Sequence, residues 1–535
     1  HNAAGLVGRI GQSSFESATN MLLAVAHLFL MSVVLLQATD AAKILGFFPF
    51  HGPSHNLVFM SLMEELAKRG HNVTVAGYYE PKTPHPNFKS ILFKLKPGTP
   101  LKEFMEIEDF SNSNHMTRAY HLYDLVKNYE DLIPLNNYSQ ILEGNYDLVI
   151  VEYFETDLFL GYASKMRAPY ILFHTTEPFS WHRIKMGDPL SPNVIPTVFG
   201  NRASQMDFAG RFWNTVELIQ IMIYYRTVLL PLAQNLAEKH LGPQPPLEEW
   251  TTNASLYFTN THCSIFGSRP MNPSTIEIGG LNVPPVKPLG KDLKTLLDGA
   301  KNGVVYFSMG SVLKGSSMSA DKRDAILKVF SELKETVLWK WEDELPYKPP
   351  NLHTSPWFPQ RDIFAHPNIV LYIGHCGLLG IHEAVTEALP IICLPMFGDQ
   401  HFNAAALKQN GMGLWLNYAD INEELFRNTI TQVLHNSSFK ENAKRISAAF
   451  LDRPMSAMDT AVYWTEYVIR HKGAPHLRSP ARWMTWYEYY NLDVIAILLA
   501  IPLIALILLY KMLVAFIRTL CCRGPGSAQK KVKRS

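Results

Sequence analysis

The residues best suited to chemistry lie in a glycine-punctuated turn in the last third of the chain. A strand pattern ends at Gly374, His375 follows, Gly377 and Gly380 come next, and a helical pattern then covers 381–388. Such a turn presents unpaired N–H groups and the positive end of the helix dipole to a phosphate. His375 could add a hydrogen-bond donor to the same oxygens. The pattern therefore predicts an oxyanion site at this turn.

The spacing of these glycines excludes the better-known phosphate motifs. It is not the G-x-G-x-x-G of a dinucleotide site, and no Gly-Lys-Ser or Gly-Lys-Thr follows as in a P-loop. A nucleophile elbow around Cys376 would need glycine at the position of Leu378. A hydrolase that uses Cys376 or a nearby serine as nucleophile is therefore disfavoured, but it is the first alternative interpretation.

Two histidines follow the first strand pattern of the chain. Pro49 ends this apolar run, and His51 and His55 lie just beyond it in a predicted loop. A neutral imidazole has a pKa near physiological pH, so it can remove a proton from a hydroxyl group. The residues alone do not choose between His51 and His55.

Short apolar runs and helical patterns alternate through both halves of the chain. The predicted strands are 43–48, 73–76, 147–151, 170–173, 304–308, 336–340, 369–373 and 391–394. Helical patterns cover 57–68 and 321–333. This alternation predicts parallel sheets with helices on both faces. A Pro-rich linker over 284–290 divides the body into two doubly wound α/β domains, 43–283 and 291–490, with ligands expected between them.

The segments on either side of the glycine turn resemble a known family. The sequence reads FSMGS at 307–311, WFPQRDIFAHP at 357–367 and PMFGDQ at 395–400. These motifs resemble the signature of the UDP-glycosyltransferases, in particular their membrane-bound, invertebrate-type animal members. The resemblance implies a GT-B fold, in which two Rossmann-like domains face a cleft, and an inverting sugar transfer that needs no metal. The chain also contains no D-x-D pair of the kind that metal-assisted transfer uses.

The resemblance assigns the nucleoside to three side chains. Trp357 is expected to stack on the uracil, with Gln360 beside the nucleoside, and Glu383 to accept hydrogen bonds from the ribose hydroxyls. An aromatic face suits a flat base, and a carboxylate suits a diol.

The resemblance also implies sites for the diphosphate and the sugar. The diphosphate is expected to be held by Ser311, His375, Gly377 and Gly380. Asp399 and Gln400 are expected to bind sugar hydroxyls. Two positions depart from the family pattern: Cys376 replaces a glycine usual in animal members, and Leu379 replaces an asparagine of plant members. Both lie in a turn where backbone groups do most of the binding, so we expect altered affinity rather than lost function.

The family pattern selects His55 as the catalytic base. Such a histidine needs a carboxylate that fixes its tautomer and stabilises the imidazolium. The family places an aspartate at the end of the strand that here covers 147–151, and this sequence has Glu152 in that register. Asp157 is the second candidate.

The two ends of the chain indicate a membrane protein. We treat 1–20 as a non-structural leader and predict a signal peptide over 21–42, with an uncleaved anchor as the alternative. An apolar helix over 494–517 predicts a single membrane span, and the basic tail over 518–535 places it in the cytosol by the positive-inside rule.

The body is then luminal, where Asn137, Asn253 and Asn436 begin glycosylation sequons. Lys531 and Lys533 resemble a dilysine retrieval signal, so we expect an endoplasmic-reticulum membrane protein of type I.

The expected partners are a UDP-sugar and a small lipophilic acceptor. The formal charge of +2 gives no reason to expect a nucleic acid. Apolar residues of the first domain are expected to meet the acceptor, among them Phe179, Trp181, Phe208, Phe212 and Trp213. Glucose is the favoured sugar, by resemblance to invertebrate members. The alternatives are glucuronosyl transfer and a non-catalytic membrane protein that binds a UDP-sugar. The sequence is also compatible with a homo-oligomer.

Overall fold

The computed structural model describes residues 41–99, 106–110, 114–136 and 138–521. The predicted leader, nearly all of the predicted signal peptide, Asn137 and the tail from residue 522 onward lie outside the described residues.

Two parallel sheets form the body. Within the described residues, the first has seven strands in the order β3-β2-β1-β4-β5-β6-β7 and the second has six in the order β10-β9-β8-β11-β12-β13. The strands are β1 Lys43–Phe47, β2 Asn72–Gly77, β3 Phe88–Leu92, β4 Leu148–Glu152, β5 Tyr170–His174, β6 Leu256–Thr259, β7 Thr275–Glu277, β8 Val304–Ser308, β9 Thr336–Lys340, β10 Leu352–Ser355, β11 Ile369–Gly374, β12 Ile391–Cys393 and β13 Gly413–Trp415. Most central strands are fully buried, because helices cover both faces of a parallel sheet. The predicted doubly wound architecture is confirmed.

Helices connect the strands and cover the sheets. They are α1 Pro53–Lys68, α2 His115–Leu132, α3 Ser139–Leu142, α4 Leu160–Lys165, α5 Ser180–Lys185, α6 Phe208–Tyr224, α7 Leu230–Leu241, α8 Leu247–Asn253, α9 Cys263–Phe266, α10 Lys291–Gly299, α11 Ala320–Glu332, α12 Gln360–Phe364, α13 Leu378–Thr386, α14 Gln400–Gln409, α15 Glu423–His435, α16 Ser437–Leu451, α17 Ala457–Arg470, α18 Trp486–Tyr489 and α19 Leu492–Cys521. A π-helical turn, Tyr225–Leu229, joins α6 to α7.

Two helices of the site begin three or four residues earlier than the sequence pattern predicts. Helix α1 begins at Pro53, because proline is well suited to the first helical position. His55 therefore lies in the first turn of a helix and not in a loop. Helix α13 begins at Leu378, directly after Gly377 as its extended N-cap residue. The backbone N–H groups of the first turn of α13 therefore come directly after the glycine turn.

The chain returns to the first sheet after it has completed the second. Val462 and Val468 of α17 are buried in the same apolar cluster as Val58 and Leu62 of α1. Beyond α17, the buried Arg482 donates hydrogen bonds to the backbone oxygens of Met186, Thr252 and Ala254 and to Oγ of Ser274. The segment that leads to the C-terminal helix is therefore fastened to the first domain.

The last described helix is long and apolar enough to cross a membrane. Helix α19 has 30 residues and none of its residues is buried, and its length of about 45 Å exceeds the ~30 Å of a bilayer core. The continuous helix Phe208–Leu241 also passes this test of length and composition, but 33% of its most apolar window is buried.

Substitution of Arg482 tests the attachment of this segment. We expect Arg482→Ala to lower the free energy of unfolding by about 3 kcal/mol, because it leaves three buried carbonyl oxygens without their donor. The exposed Arg470 supplies the control: Arg470→Ala should unfold with the wild-type midpoint in a thermal scan. Equal midpoints for all three proteins would contradict the attachment.

Candidate active site

His55 and Glu152 form a buried pair at the carboxyl end of the first sheet. Nδ1 of His55 lies 2.9 Å from Oε1 of Glu152, while Oε2 of Glu152 accepts the backbone N–H of Phe50 at 3.1 Å. Strands β1 and β4 are parallel neighbours, so the segments that follow them start side by side. With Nδ1–H donating to Glu152, Nε2 is the ring nitrogen that can receive a proton. The structure brings the two predicted residues together.

Burial decides the charge of this pair. The 2.9 Å separation would suit an ion pair. However, burial lowers the pKa of His55 to about 3, and burial also raises the pKa of Glu152 well above its usual range. Burial disfavours charge on both groups, but the backbone N–H of Phe50 donates to the carboxyl group and acts to lower the pKa of Glu152. An ionised Glu152 can therefore accept Nδ1–H of a neutral imidazole. We therefore regard the imidazole as neutral at physiological pH, which is the state that a general base needs.

Three further residues, which the sequence did not single out, surround the imidazole. Oγ1 of Thr175 lies 3.0 Å from Nδ1 and 3.2 Å from Nε2 of His55. The rings of Phe50 and Phe154 pack edge-on against the imidazole, with centroids at 4.7 and 4.4 Å. Each of the three follows the end of a strand, and this position is the only sequence signal that could have found them.

Asp157, the second candidate carboxylate, has a different role. It is buried and accepts hydrogen bonds from the hydroxyls of Tyr153 at 2.7 Å, Tyr225 at 2.9 Å and Thr251 at 3.1 Å. These contacts bind the region after β4 to α8 and to the turn after α6. Asp157 therefore supports the domain and does not contact His55.

The glycine turn leaves the start of α13 open. Gly377 caps the helix in an extended conformation and has no side chain that could occupy the first N–H groups. The ring of His375 lies so close to Gly310 and Gly377 that a Cβ atom on either would overlap it. Gly310 also has φ +86°, which favours glycine. Ser311 follows Gly310 in the turn after β8, the strand beside β11.

A disulfide fixes this turn from behind. Cys376 is bonded to Cys393, with 5.3 Å between their Cα atoms, and both residues are fully buried. Cys393 ends β12 and pairs in register with Gly374 of β11. A cysteine in a disulfide has no thiolate, so Cys376 cannot be the nucleophile of a hydrolase. No cysteine spacing in the sequence indicated this bond.

Asn403 joins the glycine turn to the predicted sugar-binding residues. Its Nδ2 donates to the carbonyl oxygen of Cys376 at 3.1 Å and to the carboxylate of Asp399 at 2.8 Å. Burial raises the pKa of Asp399 to about 6, and the charge of Glu177 adds to this shift. Oε1 of Gln400 accepts the backbone N–H of Met396 at 2.8 Å, which leaves its NH₂ group to donate to a ligand. Asn403 was missed, although it stands one helical turn after Asp399.

The predicted nucleoside residues also lie together. Nε2 of Gln360 donates to Oε2 of Glu383 at 2.5 Å, and burial raises the pKa of Glu383 above its usual value. Trp357 precedes α12 and its side chain is 61% exposed, so one face of the indole can accept a flat base.

The cationic Lys340, which ends β9, was not predicted. Lys340 is buried. Burial of His375 is the main cause that lowers the pKa of its imidazole to about 4, and the nearby charge of Lys340 is the second cause.

The two halves of the site face each other across the domain boundary. Leu379 of α13 packs against the cluster that contains Phe48 and Phe59 of the first domain. The rings of Phe110 and Phe397 lie 4.9 Å apart. The turn that follows β11 therefore contacts the domain that carries His55.

Comparisons with known proteins identify the family of the chain. The family described as "UDP-glucoronosyl and UDP-glucosyl transferase" matches residues 104–524. The chain belongs to this family. It is 37% identical to UDP-glycosyltransferase UGT5 of Dactylopius coccus over 95% of this chain and 98% of that protein. It is 29% identical to UDP-glucuronosyltransferase 1A8 of Rattus norvegicus, over 90% and 93% of the two chains.

Solved structures confirm the fold. The structure of LpCGTa in complex with UDP superimposes with a TM-score of 0.51 at 14% identity, over 80% of this chain and 100% of that one. A UDP-glucosyltransferase from Polygonum tinctorium gives a TM-score of 0.52 at 14% identity, over 80% and 99%. The protein is thus a UDP-glycosyltransferase with the GT-B fold. The roles of its individual residues stay predictions.

Removal of the disulfide tests the support behind the glycine turn. Because it closes a loop of 17 residues, we expect Cys393→Ser to cost roughly 3 kcal/mol of stability and to weaken UDP binding, measured by calorimetry. Cys263→Ser, which removes an exposed free cysteine, is the matched control and should bind UDP normally. Free thiols at both Cys376 and Cys393 in the purified protein, detected by alkylation and mass spectrometry, would contradict the bond.

The raised pKa of Asp399 predicts a pH-dependent affinity for the sugar. Above pH 6 the carboxylate is ionised and accepts hydroxyl hydrogen bonds well, whereas below pH 6 it is protonated and accepts them weakly. The affinity for UDP-glucose, which has no terminal phosphate that titrates near pH 6, should therefore fall as the pH drops from neutral through 6. Asp399→Asn should abolish this loss. An affinity ratio of wild type to Asp399→Asn that stays constant over this range would rule out this role.

Proposed function

We propose that the protein transfers glucose from UDP-glucose to a hydroxyl group of a small lipophilic acceptor, with inversion at the anomeric carbon. The observation that carries the proposal is the buried His55–Glu152 pair, which faces a domain whose glycine turn can hold a diphosphate. His55 and Glu152 would act on the acceptor, and the second domain would hold the donor.

In the proposed reaction His55 is the base. Nε2 takes the proton of the acceptor hydroxyl while the acceptor oxygen forms a bond to the anomeric carbon. Glu152 accepts the hydrogen bond from Nδ1, holds the tautomer and balances the imidazolium that forms. The low-dielectric surroundings strengthen this interaction once charge develops. Attack from the face opposite the leaving diphosphate inverts the configuration.

The bond between the sugar and the diphosphate breaks in the same step, and UDP leaves with the electron pair. Its new negative charge would be met by the N–H groups at the start of α13, by His375 and by Ser311. Lys340 would add a positive charge near His375. In this proposal Trp357, Gln360 and Glu383 bind the nucleoside, and Asp399 and Gln400 bind the sugar.

The surroundings of His55 favour an apolar acceptor. Phe50 and Phe154 are half-buried beside the imidazole, and Phe179 contacts Phe154 with ring centroids 5.7 Å apart. The other apolar residues expected at the acceptor site divide into two groups. Trp181 is buried in the core, whereas Phe208, Phe212 and Trp213 are exposed on α6. An acceptor would thus meet Phe50, Phe154 and Phe179.

The relatives favour glucose over glucuronic acid. The chain is 36% identical to UDP-glucosyltransferase 2 of Dactylopius coccus, over 87% of this chain and 91% of that protein. Identity to the rat glucuronosyltransferase is 29%. The assembled His55–Glu152 pair also favours an enzyme over a non-catalytic UDP-sugar-binding protein. We further propose that α19 anchors the protein in the endoplasmic-reticulum membrane with the body in the lumen.

Two histidine variants test the mechanism in microsomes supplied with UDP-glucose or UDP-glucuronic acid and a panel of phenols. We expect His55→Ala to lower the transfer rate by about 10²–10⁴-fold, Glu152→Gln to lower it by a smaller factor, and both to bind UDP normally. His51→Ala is the matched control and should transfer sugar at close to the wild-type rate.

Other outcomes would identify the alternatives. Trp357→Ala should weaken UDP binding, which a hydrolase without a nucleotide site would not show. UDP binding without transfer of either sugar would indicate a non-catalytic protein. If His55→Ala transferred sugar as fast as the wild type, another residue would be the base.

A further inference from the structure

A cavity of about 410 Å³ lies between the two domains, and we call it the side cavity. The first domain contributes the start of α2, residues 199–201 and Glu217 of α6 to its wall. The second domain contributes His401 of α14 and Trp415 at the end of β13. His401 comes directly after the two residues that are predicted to bind the sugar. The volume is within the range of small-molecule sites, roughly 300–1,000 Å³.

The side cavity adjoins both parts of the proposed site. The ring of Phe199, in its wall, lies 5.0 Å from the ring of Phe179, which the acceptor is proposed to meet. The ring of Phe110, also in its wall, lies 4.9 Å from the ring of Phe397, two residues before Asp399. A ligand in the cavity would therefore be next to the acceptor on one side and to the donor sugar on the other.

A carboxylate and an imidazole in the wall have capacity left for hydrogen bonds. Oε2 of Glu217 accepts from Arg202 at 2.6 Å and from Thr197 at 3.2 Å, but Oε1 lies 3.8 Å from Nδ1 of His115, too far for a hydrogen bond. His401 is 8% exposed, and its buried Nδ1 has no hydrogen-bond partner among the described residues. Because an unpaired buried polar atom is costly, a ligand that pairs with it is stabilised.

The charges around the side cavity favour a neutral ligand. Among the described residues, the cations Arg118 and Arg202 are matched by the carboxylates of Glu217 and Asp420. Burial, and after it the charge of Arg118, lowers the pKa of His401 to about 3, so that its imidazole is uncharged at neutral pH. A wall that is polar but has no excess charge suits a ligand rich in hydroxyl groups better than an ion or an apolar molecule.

We propose that the side cavity binds the sugar ring of an acceptor that already carries a sugar. A hexose has hydroxyl groups for the carboxylate of Glu217, the imidazole of His401 and the side-chain amide of Asn201, which also lines the cavity. Its C–H groups suit the indole of the half-buried Trp415, whose ring lies 6.2 Å from that of His401. A purely apolar acceptor would leave the buried polar atoms without partners.

The inference rests on the proposed glucosyl transfer and narrows its acceptor to glycosides of a lipophilic alcohol or phenol with a second hydroxyl group. With the sugar of the acceptor in the side cavity, the aglycone meets Phe154 and Phe179, and its free hydroxyl faces Nε2 of His55. The oxygen of this hydroxyl forms the new bond to the anomeric carbon, its proton passes to His55, and UDP leaves with the electron pair. The product is a diglycoside.

A pair of acceptors tests the side cavity in the full-length protein. Hydroquinone and its mono-β-glucoside present the same phenolic hydroxyl and differ by one hexose. With UDP-glucose as donor, we expect the KM for the glucoside to be about tenfold lower, because the hexose adds hydrogen bonds in the cavity. An equal or higher KM for the glucoside would overturn the proposal.

Two variants assign this difference to the cavity. We expect Trp415→Leu, which removes the aromatic face, and His401→Phe, which keeps a ring but removes its nitrogens, each to raise the KM for the glucoside about tenfold. The KM values for hydroquinone and UDP-glucose should stay unchanged. Tyr347→Leu is the matched control, because Tyr347 is 55% exposed and precedes β10 at the opposite edge of the second sheet. An equal effect of the variants on both phenols would contradict the proposal.

Calorimetry separates failure of the side cavity from failure of sugar transfer. The glucoside is titrated into wild type and Trp415→Leu, each loaded with UDP. Binding to the wild type that weakens about tenfold in the variant supports the cavity as a sugar site, and if no acceptor is then glucosylated, the proposed transfer is wrong. Equal affinity of the two proteins, or no binding to the wild type, would refute the cavity as a sugar site even if hydroquinone is glucosylated.

Discussion

Both halves of the site depend on one topological constraint, the point in each sheet where the strand order reverses. In the first sheet β1 lies between β2 and β4, and in the second β8 lies between β9 and β11. At such a point the segments after two neighbouring strands turn to opposite faces and leave a crevice at the carboxyl ends. His55 comes after β1, and Glu152 is the last residue of β4. Ser311 comes after β8, and the glycine turn comes after β11. The His55–Glu152 pair and the glycine turn, the proposed catalytic and phosphate sites, thus occupy equivalent crevices.

In each crevice, neighbouring protein groups hold the side chains of the site. Around His55, the backbone N–H of Phe50 and the rings of Phe50 and Phe154 fix the carboxylate and the imidazole. Around the glycine turn, the Cys376–Cys393 bond and the amide of Asn403 perform this task. Preorganised groups of this kind do not have to reorient as charge develops. For this reason they stabilise the charge of a transition state more strongly than water does. The cost is burial of ionisable groups, and it is visible in the raised pKa values of Glu152, Glu383 and Asp399.

The position of the segment before the C-terminal helix follows from the return of the chain to the first domain. Helix α17 packs on α1, which carries His55, and Arg482 then joins the anchor segment to residues beside β5 and β6. The segment that precedes α19 is therefore held to the first domain by buried hydrogen bonds.

The sequence determined those features that depend on local pattern. Buried strands appear as short apolar runs, the C-terminal apolar helix as a long one, and the family signature as one compact set of motifs between residues 357 and 400, so fold and family could be predicted. Tertiary structure decided what depends on neighbours that are distant in sequence. Glu152 and Asp157 both follow the same strand pattern, and only the register of β4 beside β1 brings Glu152 to His55. Cys376 and Cys393 meet because β11 and β12 are adjacent. Helix α6 buries Asn214 and Glu217 beside Leu218 and Ile221 because these polar side chains find buried partners, whereas periodicity alone places only apolar residues against the core.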